Sequence, residues 1–301
     1  MRARELSFVR EIETGKRKTP LVVAYLLAVL LAVFGVQFVV GAGLRIATGS
    51  VTDTSSLFSQ LIEGVTDLVP ILIIFAWVAW FERRRVSSLG LRNARGWLTL
   101  LLGVVVGGVL IAIAAAPAIL AGDVVPAGPD TGALVTGTAA LGAVVATIPI
   151  WLIQGSSEEI IFRGFLLQRS LYSWPTWLAI LVTSVLFALV HPGAFGVGKL
   201  NIALFGVFAA LVVIWQNSIW LVMGIHAGWN LVQGNVLGIA VSGSGHDNSL
   251  FRFEPVAGRE LLSGGDFGTE GSVYATVVLV LAIVAAFLLA QRRLAAGPAG
   301  R

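Results

Sequence analysis

The chain has no cysteine, which excludes disulfides, thiolate metal sites and a cysteine nucleophile. Charge is also scarce. Only 12% of the 301 residues are Asp, Glu, Lys or Arg, against about a quarter in a soluble domain. With 57% hydrophobic residues and a mean hydropathy of +0.91, the composition suits a bilayer rather than water. Any chemistry must come from carboxylates, hydroxyls, amides and three histidines. The sequence contains no H-E-x-x-H pair, no G-x-S-x-G turn, no internal repeat and no soluble domain.

Backbone groups in lipid must be satisfied within their own segment, so uncharged runs of about 20 residues read as crossing helices. The run from Thr19 to Leu44 exceeds the 7–15 or so residues of a signal-peptide core and reads as a retained anchor. Eight helices are expected: one in 20–44, one in 60–81 with Glu63 and Asp67 at its outer end, one in 97–121, and one from Ala133 to the charged stretch "SSEEIIFRGF". A fifth lies in 176–191, two more fall between Leu200 and His246 with a turn at "WQNS" (215–218), and the last fills 272–291. The corresponding division is a cytoplasmic segment 1–19, helices 1–3 in 20–130, a core of helices 4–7 in 131–241, an external loop 242–271, and helix 8 with a short tail in 272–301.

Lys and Arg are retained in short cytoplasmic loops. Sixteen of the 20 fall on one side of this layout, Arg163 and Arg169 included, if both termini are cytoplasmic. The expected fold class is therefore an all-α integral membrane protein, a polytopic bundle of about eight transmembrane helices with both termini in the cytoplasm. Its basic face needs only anionic lipid as a partner, and no nucleic acid. Trp80, Trp97, Trp174 and Trp177 sit where an interfacial aromatic belt would. Gly103 and Gly107 have the spacing that lets two helices approach closely. The C-terminal "AAGPAGR" carries no lipidation motif.

Ionisable side chains at membrane depth are expensive and call for a reason. They concentrate in "EEIIFR" (158–163), "FALVH" (187–191) and "HAGWN" (226–230). On a helix Glu159 and Arg163 are four apart, acid before base, the favourable order for an ion pair. Glu158 points about 100° away, without a local partner, where a general base could act. A solvated helix end accounts for this motif equally well. His191 precedes Pro192, so the fifth helix should end there, about 24 Å from Thr176, short of a hydrocarbon core. His226 and Asn230 share a helix face and could hold water, a metal or an oxyanion, or bond neighbouring helices. His246, in the polar "GHDNS", reads as solvent-exposed and receives no role. Taken together, the three clusters form a hydrolytic constellation.

These motifs resemble those of the CPBP intramembrane proteases, the group with the CaaX prenyl endopeptidases and bacterial Abi proteins: E-E-x-x-x-R, F-x-x-x-H and H-x-x-x-N, in order, over roughly 145–240. The resemblance implies a catalytic Glu158 that activates water, supported by the Glu159–Arg163 pair, with His191, His226 and Asn230 completing the site. It also implies a peptidase of the prokaryotic cell membrane cutting a membrane-associated or lipid-modified peptide. Such proteins are described both as glutamate-dependent and as metalloproteases, and in the second case Glu158, His191 and His226 would hold Zn2+. "GGDFGTEGS" (264–272) also looks like a stretch found in the family. A non-catalytic membrane immunity or scaffold protein, and a transporter using the same buried groups, are the competing classes.

Overall fold

The structure is a computed structural model that describes residues 3–31, 37–50, 55–128, 135–191 and 193–295, with the side chains of 37 and 38 excepted. Ala133, Pro192 and the tail from 296 onward, which figure in the sequence reading, lie outside the described residues. The principal helices are α1 (Leu21–Val29), α2 (Leu57–Ala76), α3 (Gly96–Leu120), α4 (Leu141–Glu159), α5 (Thr176–Leu189), α6 (Gly196–Gln216), α7 (Trp220–Leu231) and α8 (Val273–Ala295). Wider π turns prolong α2 over Trp77–Phe81 and α7 over Val232–Val236.

Five of these helical stretches among the described residues are long and apolar enough to cross a membrane: 57–81, 96–120, 137–173, 196–216 and 273–295. About eight helices were expected, the fifth of them short of a hydrocarbon core. α5 has only fourteen residues and α7 twelve, because each stops or widens near polar groups that end the apolar run. The first stretch is described only in part.

Lipid-facing and packed faces separate cleanly on α3. Leu102, Val105, Val109 and Ile113 are exposed at spacings of three and four, which makes one stripe, while Gly103, Gly107 and Gly108 are buried. The polarity is that of a membrane helix: large apolar side chains face out and small residues face in. The glycines meet Gly224 and Gly228 of α7. A Cβ on Gly107 would lie 1.9 Å from the Ile225 carbonyl oxygen, and one on Gly228 2.0 Å from that of Val104. α3 and α7 thus touch backbone to backbone. His226 sits between the two glycines of α7, so this crossing sets its position.

α4 does not end at the carboxylates. It continues through a π segment, Ile160–Leu167, and a last helical piece, Gln168–Ser173, as one 37-residue stretch from Gly137. This resolves a mismatch of depth. Glu158 precedes the Ser173 turn by fifteen residues and His191 follows Thr176 by fifteen, so two antiparallel helices bring them level, about 22 Å from the turn. Arg163, counted above among charges on the cytoplasmic face, is buried inside the bundle, because it pairs with Glu159 within the same stretch. Asp67, placed at the outer end of its helix, is also buried, eleven positions into the span that begins at Leu57.

The "WQNS" turn joins α6 to α7, with Asn217 in the left-handed conformation at φ 54° closing α6. The segment ahead of α1 is no loose tail. Phe8, Val9 and Ile12 are buried, and Gln168 Nε2 donates to the carbonyls of Phe8 and Ser88 at 2.6 Å each. At the other end, Val124–Pro126 pairs antiparallel with Phe253–Pro255, and Val135–Thr136 parallel with Asn248–Ser249. These strands of two or three residues tie the loop after α3 to the loop before α8, and they are too short to leave a periodic signal in the sequence.

Gly107→Ala is expected to lower stability by about 1–3 kcal/mol through overpacking, read as the thermal unfolding midpoint in detergent. Gly142→Ala, on a helix with nothing within 4 Å of the new methyl, should be neutral or stabilising. Equal losses for the two would refute the backbone crossing.

Candidate active site

Glu159 lies at the centre of the site, fully buried at the end of α4. Its Oε1 accepts from Arg163 Nη1 at 3.0 Å and from His226 Nδ1 at 2.9 Å. One carboxylate oxygen therefore joins the α4 stretch to α7. The Arg163 guanidinium, also buried, lies 4.2 Å over the Phe187 ring of α5, so the second side of the cation is covered by an aromatic face. Phe187 in turn accepts at its carbonyl oxygen from His191 Nδ1 at 2.7 Å. The first and last residues of "FALVH" are thus linked in two ways, since their rings also pack at 4.7 Å.

These partners set the tautomers. A carbonyl and an arginine-paired carboxylate can only accept, so both Nδ1 atoms carry protons and both Nε2 atoms turn elsewhere. They turn to Glu158. His191 Nε2 is 3.7 Å and His226 Nε2 4.0 Å from Glu158 Oε2, an oxygen that is buried and without a hydrogen-bond partner among the described residues. Three atoms with lone pairs converge on one point. A water oxygen about 2.8 Å from its neighbours can bridge gaps of this size.

Glu158 does have a local partner, contrary to the sequence reading. Gln154, one turn earlier on α4, donates from Nε2 to Glu158 Oε1 at 2.7 Å and accepts at Oε1 from Asn230 Nδ2 at 2.9 Å. Asn230 therefore reaches the carboxylate through Gln154. The signal was present in the sequence as an i, i+4 spacing, but an uncharged glutamine is easily passed over. α4 and α7 can approach closely enough for these bonds because a Cβ on Gly155 would lie 2.8 Å from the Ala227 nitrogen.

Glu158, His191, His226 and Asn230 all line a cavity of about 490 Å³, together with Glu63 and Asp67 of α2. Glu159 and Arg163 stand behind its wall. His246, expected in solvent, is a further wall residue with 6% exposure. Its ring stands edge-on to Trp151 at 5.3 Å, and Gly234 makes room for it. Both of its ring nitrogens lack partners among the described residues, and burial lowers its pKa to about 4. No sequence signal marked it, because its burial comes from helices distant in the chain. In "GGDFGTEGS", Glu270 reaches the same cavity and accepts from Ser242 N and Oγ, at 2.5 and 2.8 Å.

Imidazole and carboxylate donors of this kind would suit Zn2+. Among the described residues, however, no group of three or more His, Asp or Glu is arranged to hold a metal ion. The residues as placed do not fit the ion, and no step below runs through one.

Fold and site together define a helical membrane protein with a buried carboxylate–imidazole centre opening on a cavity. Residues 138–232, about a third of the chain, match the family described as type II CAAX prenyl endopeptidase Rce1-like, which supports a CPBP/CAAX protease family assignment. Comparison with curated proteins and with solved structures gives no match. The matched segment contains Glu158, Glu159, Arg163, His191, His226 and Asn230, whereas His246 and Glu270 lie beyond it.

Acidification should test the placement of His246. Its imidazole titrates at 6.5 when unfolded and at about 4 when folded, so the unfolded state binds the extra proton between these values. Its contribution is intact above pH 6.5 and is lost as pH falls towards 4, on the order of 3 kcal/mol in all. The pH dependence of the unfolding midpoint should be flatter for His246→Gln than for the parent over that window. Parallel curves would refute the burial.

Proposed function

We propose that the protein is an endopeptidase in which Glu158 activates water against a peptide bond held in the cavity. The observation that carries this reading is the convergence of Glu158 Oε2, His191 Nε2 and His226 Nε2 within 4.0 Å on the cavity wall, inside the family-matched segment. A water there gives one proton to Glu158 Oε2 and is held through its other O–H by an imidazole Nε2. Its oxygen adds to the scissile carbonyl carbon. The Asn230 amide has one N–H committed to Gln154, and its second is the donor left for the oxyanion. Collapse breaks the C–N bond, and Glu158 passes its proton to the departing amine.

The substrate we infer is a membrane-associated peptide of the CaaX type, carrying a lipid whose chain stays in the bilayer while the peptide enters the cavity. The setting is the cell membrane of a prokaryote, with eight crossings and both termini in the cytoplasm. The bias of Lys and Arg supports that orientation even with Arg163 withdrawn from the face.

Glu158→Gln should abolish cleavage of a prenylated CaaX peptide by protein reconstituted in liposomes, while the unfolding midpoint stays within a few degrees. Cleavage at the parental rate would refute Glu158 as the base, whereas no cleavage by the parent, with a deletion phenotype rescued equally by Glu158→Ala and His226→Ala, would return the chain to the immunity or scaffold class. Gln154→Ala removes the amide that holds Glu158 Oε1 and should reduce kcat by up to about a hundredfold. A rate lost on chelation and restored by Zn2+ would put an ion, instead of a free water, between Glu158 and the two imidazoles.

A further inference from the structure

The loop 82–95 joins two spanning stretches, so it lies at a membrane surface. It carries five arginines, at 83, 84, 85, 92 and 95. Four of them, with Thr14 and Ala79, line a second cavity of about 410 Å³. Two are already neutralised. Arg84 Nε meets Glu82 Oε2 at 2.6 Å and Arg92 Nη1 meets Glu11 Oε1 at 2.6 Å, whereas among the described residues no ion pair involves Arg83 or Arg85, both exposed.

The turn that presents them is built from inside. Glu82 is buried, and its Oε1 accepts from Thr19 Oγ1 at 2.6 Å, while that hydroxyl accepts from Trp77 Nε1 at 2.8 Å. Arg84 Nη1 donates to Ser88 Oγ at 2.6 Å, and the Arg84 backbone N–H closes on the Val78 carbonyl at 3.2 Å. These bonds force Arg83 into the left-handed region, at φ 56°. Helices commonly end in that conformation with glycine, which adopts it without strain. An arginine in that place keeps its side chain at a conformational cost, as functional positions do. Trp80, 80% exposed, and Trp97, 60% exposed, flank the loop as residues of a membrane–water interface do.

We propose that this cavity binds a phosphate-bearing anion at the membrane surface, held by the unpaired guanidiniums of Arg83 and Arg85. Planar guanidinium forks match phosphate oxygens in pairs. An anionic phospholipid headgroup and free phosphate share this chemistry, and the two sources separate by experiment. The site is independent of the peptidase reading.

The test uses the full chain in detergent micelles, with the shift in unfolding midpoint followed as phosphatidylglycerol is titrated in. The parent should show a saturable rise that phosphatidylcholine does not give. Arg83→Gly should unfold at the same temperature as the parent or higher without anionic lipid, since it relieves the strained turn, yet bind phosphatidylglycerol about fivefold more weakly. Arg85→Gln should lose a similar factor. Arg95→Gln, in the same loop but outside the cavity, should change it less than twofold. Inorganic phosphate added with phosphatidylcholine supports the site with a soluble ligand if it reproduces the rise. A loss for Arg95→Gln equal to that for Arg83→Gly would make the attraction diffuse and overturn the proposal, as would a parent that responds to neither anion.

Discussion

Glu159 Oε1 is the point on which the site depends. It takes a proton donor from Arg163 on its own helical stretch and another from His226 on α7. Removing two ions from water costs several kcal/mol each, and Glu159 and Arg163 are both buried. Their mutual contact, the imidazole and the Phe187 ring under the guanidinium offset that cost together. What the arrangement adds is direction. With Nδ1 of His226 bound to Glu159 and Nδ1 of His191 bound to Phe187, both imidazoles have to present Nε2 to Glu158. Adjacent glutamates thus divide the work by environment. One is consumed by structure and leaves the other with an unpartnered oxygen.

Such an arrangement requires helices closer together than large side chains allow. Membrane helices gain little from burying apolar surface, since lipid is as apolar as leucine, so close backbone contact has to do more. Gly103 and Gly107 against Gly224 and Gly228 bring α3 onto one side of α7, and Gly155 brings α4 onto the other. His226 is held between these contacts. The scarcity of charge has the same logic: where every ionisable group is costly, those present inside the bundle are paired, bonded or set at a cavity wall. The family match covers the residues that meet at this point and not the loops that complete the wall.

Much of the fold was legible. Long uncharged runs located the stretches 57–81, 96–120 and 273–295 to within a few residues, and the Asn217 turn, because lipid leaves the backbone no alternative to internal hydrogen bonding, whereas the run of α4 on to Ser173 was not foreseen. The spacings Glu159 to Arg163 and His226 to Asn230 place those residues on shared helix faces from the sequence alone. The short strands joining 124–136 to 248–255 were not legible, nor was the shortness of α7, whereas that of α5 follows from His191 standing before a proline. His246 was misread for a related reason: polar neighbours in sequence suggested solvent, and apolar neighbours in space decided otherwise.

The sequence by itself determined the solvent, most of the helices and which ionisable side chains fall within them, because hydropathy and helical spacing act over fewer than about 20 residues. Tertiary structure decided the division of roles. Whether Glu158 ended in water at a helix tip or opposite two imidazoles depended on α4 running on to Ser173 and on α5 returning alongside it. That outcome rests on contacts between residues 67 positions apart, Glu159 with His226, and no local pattern encodes the distance between them.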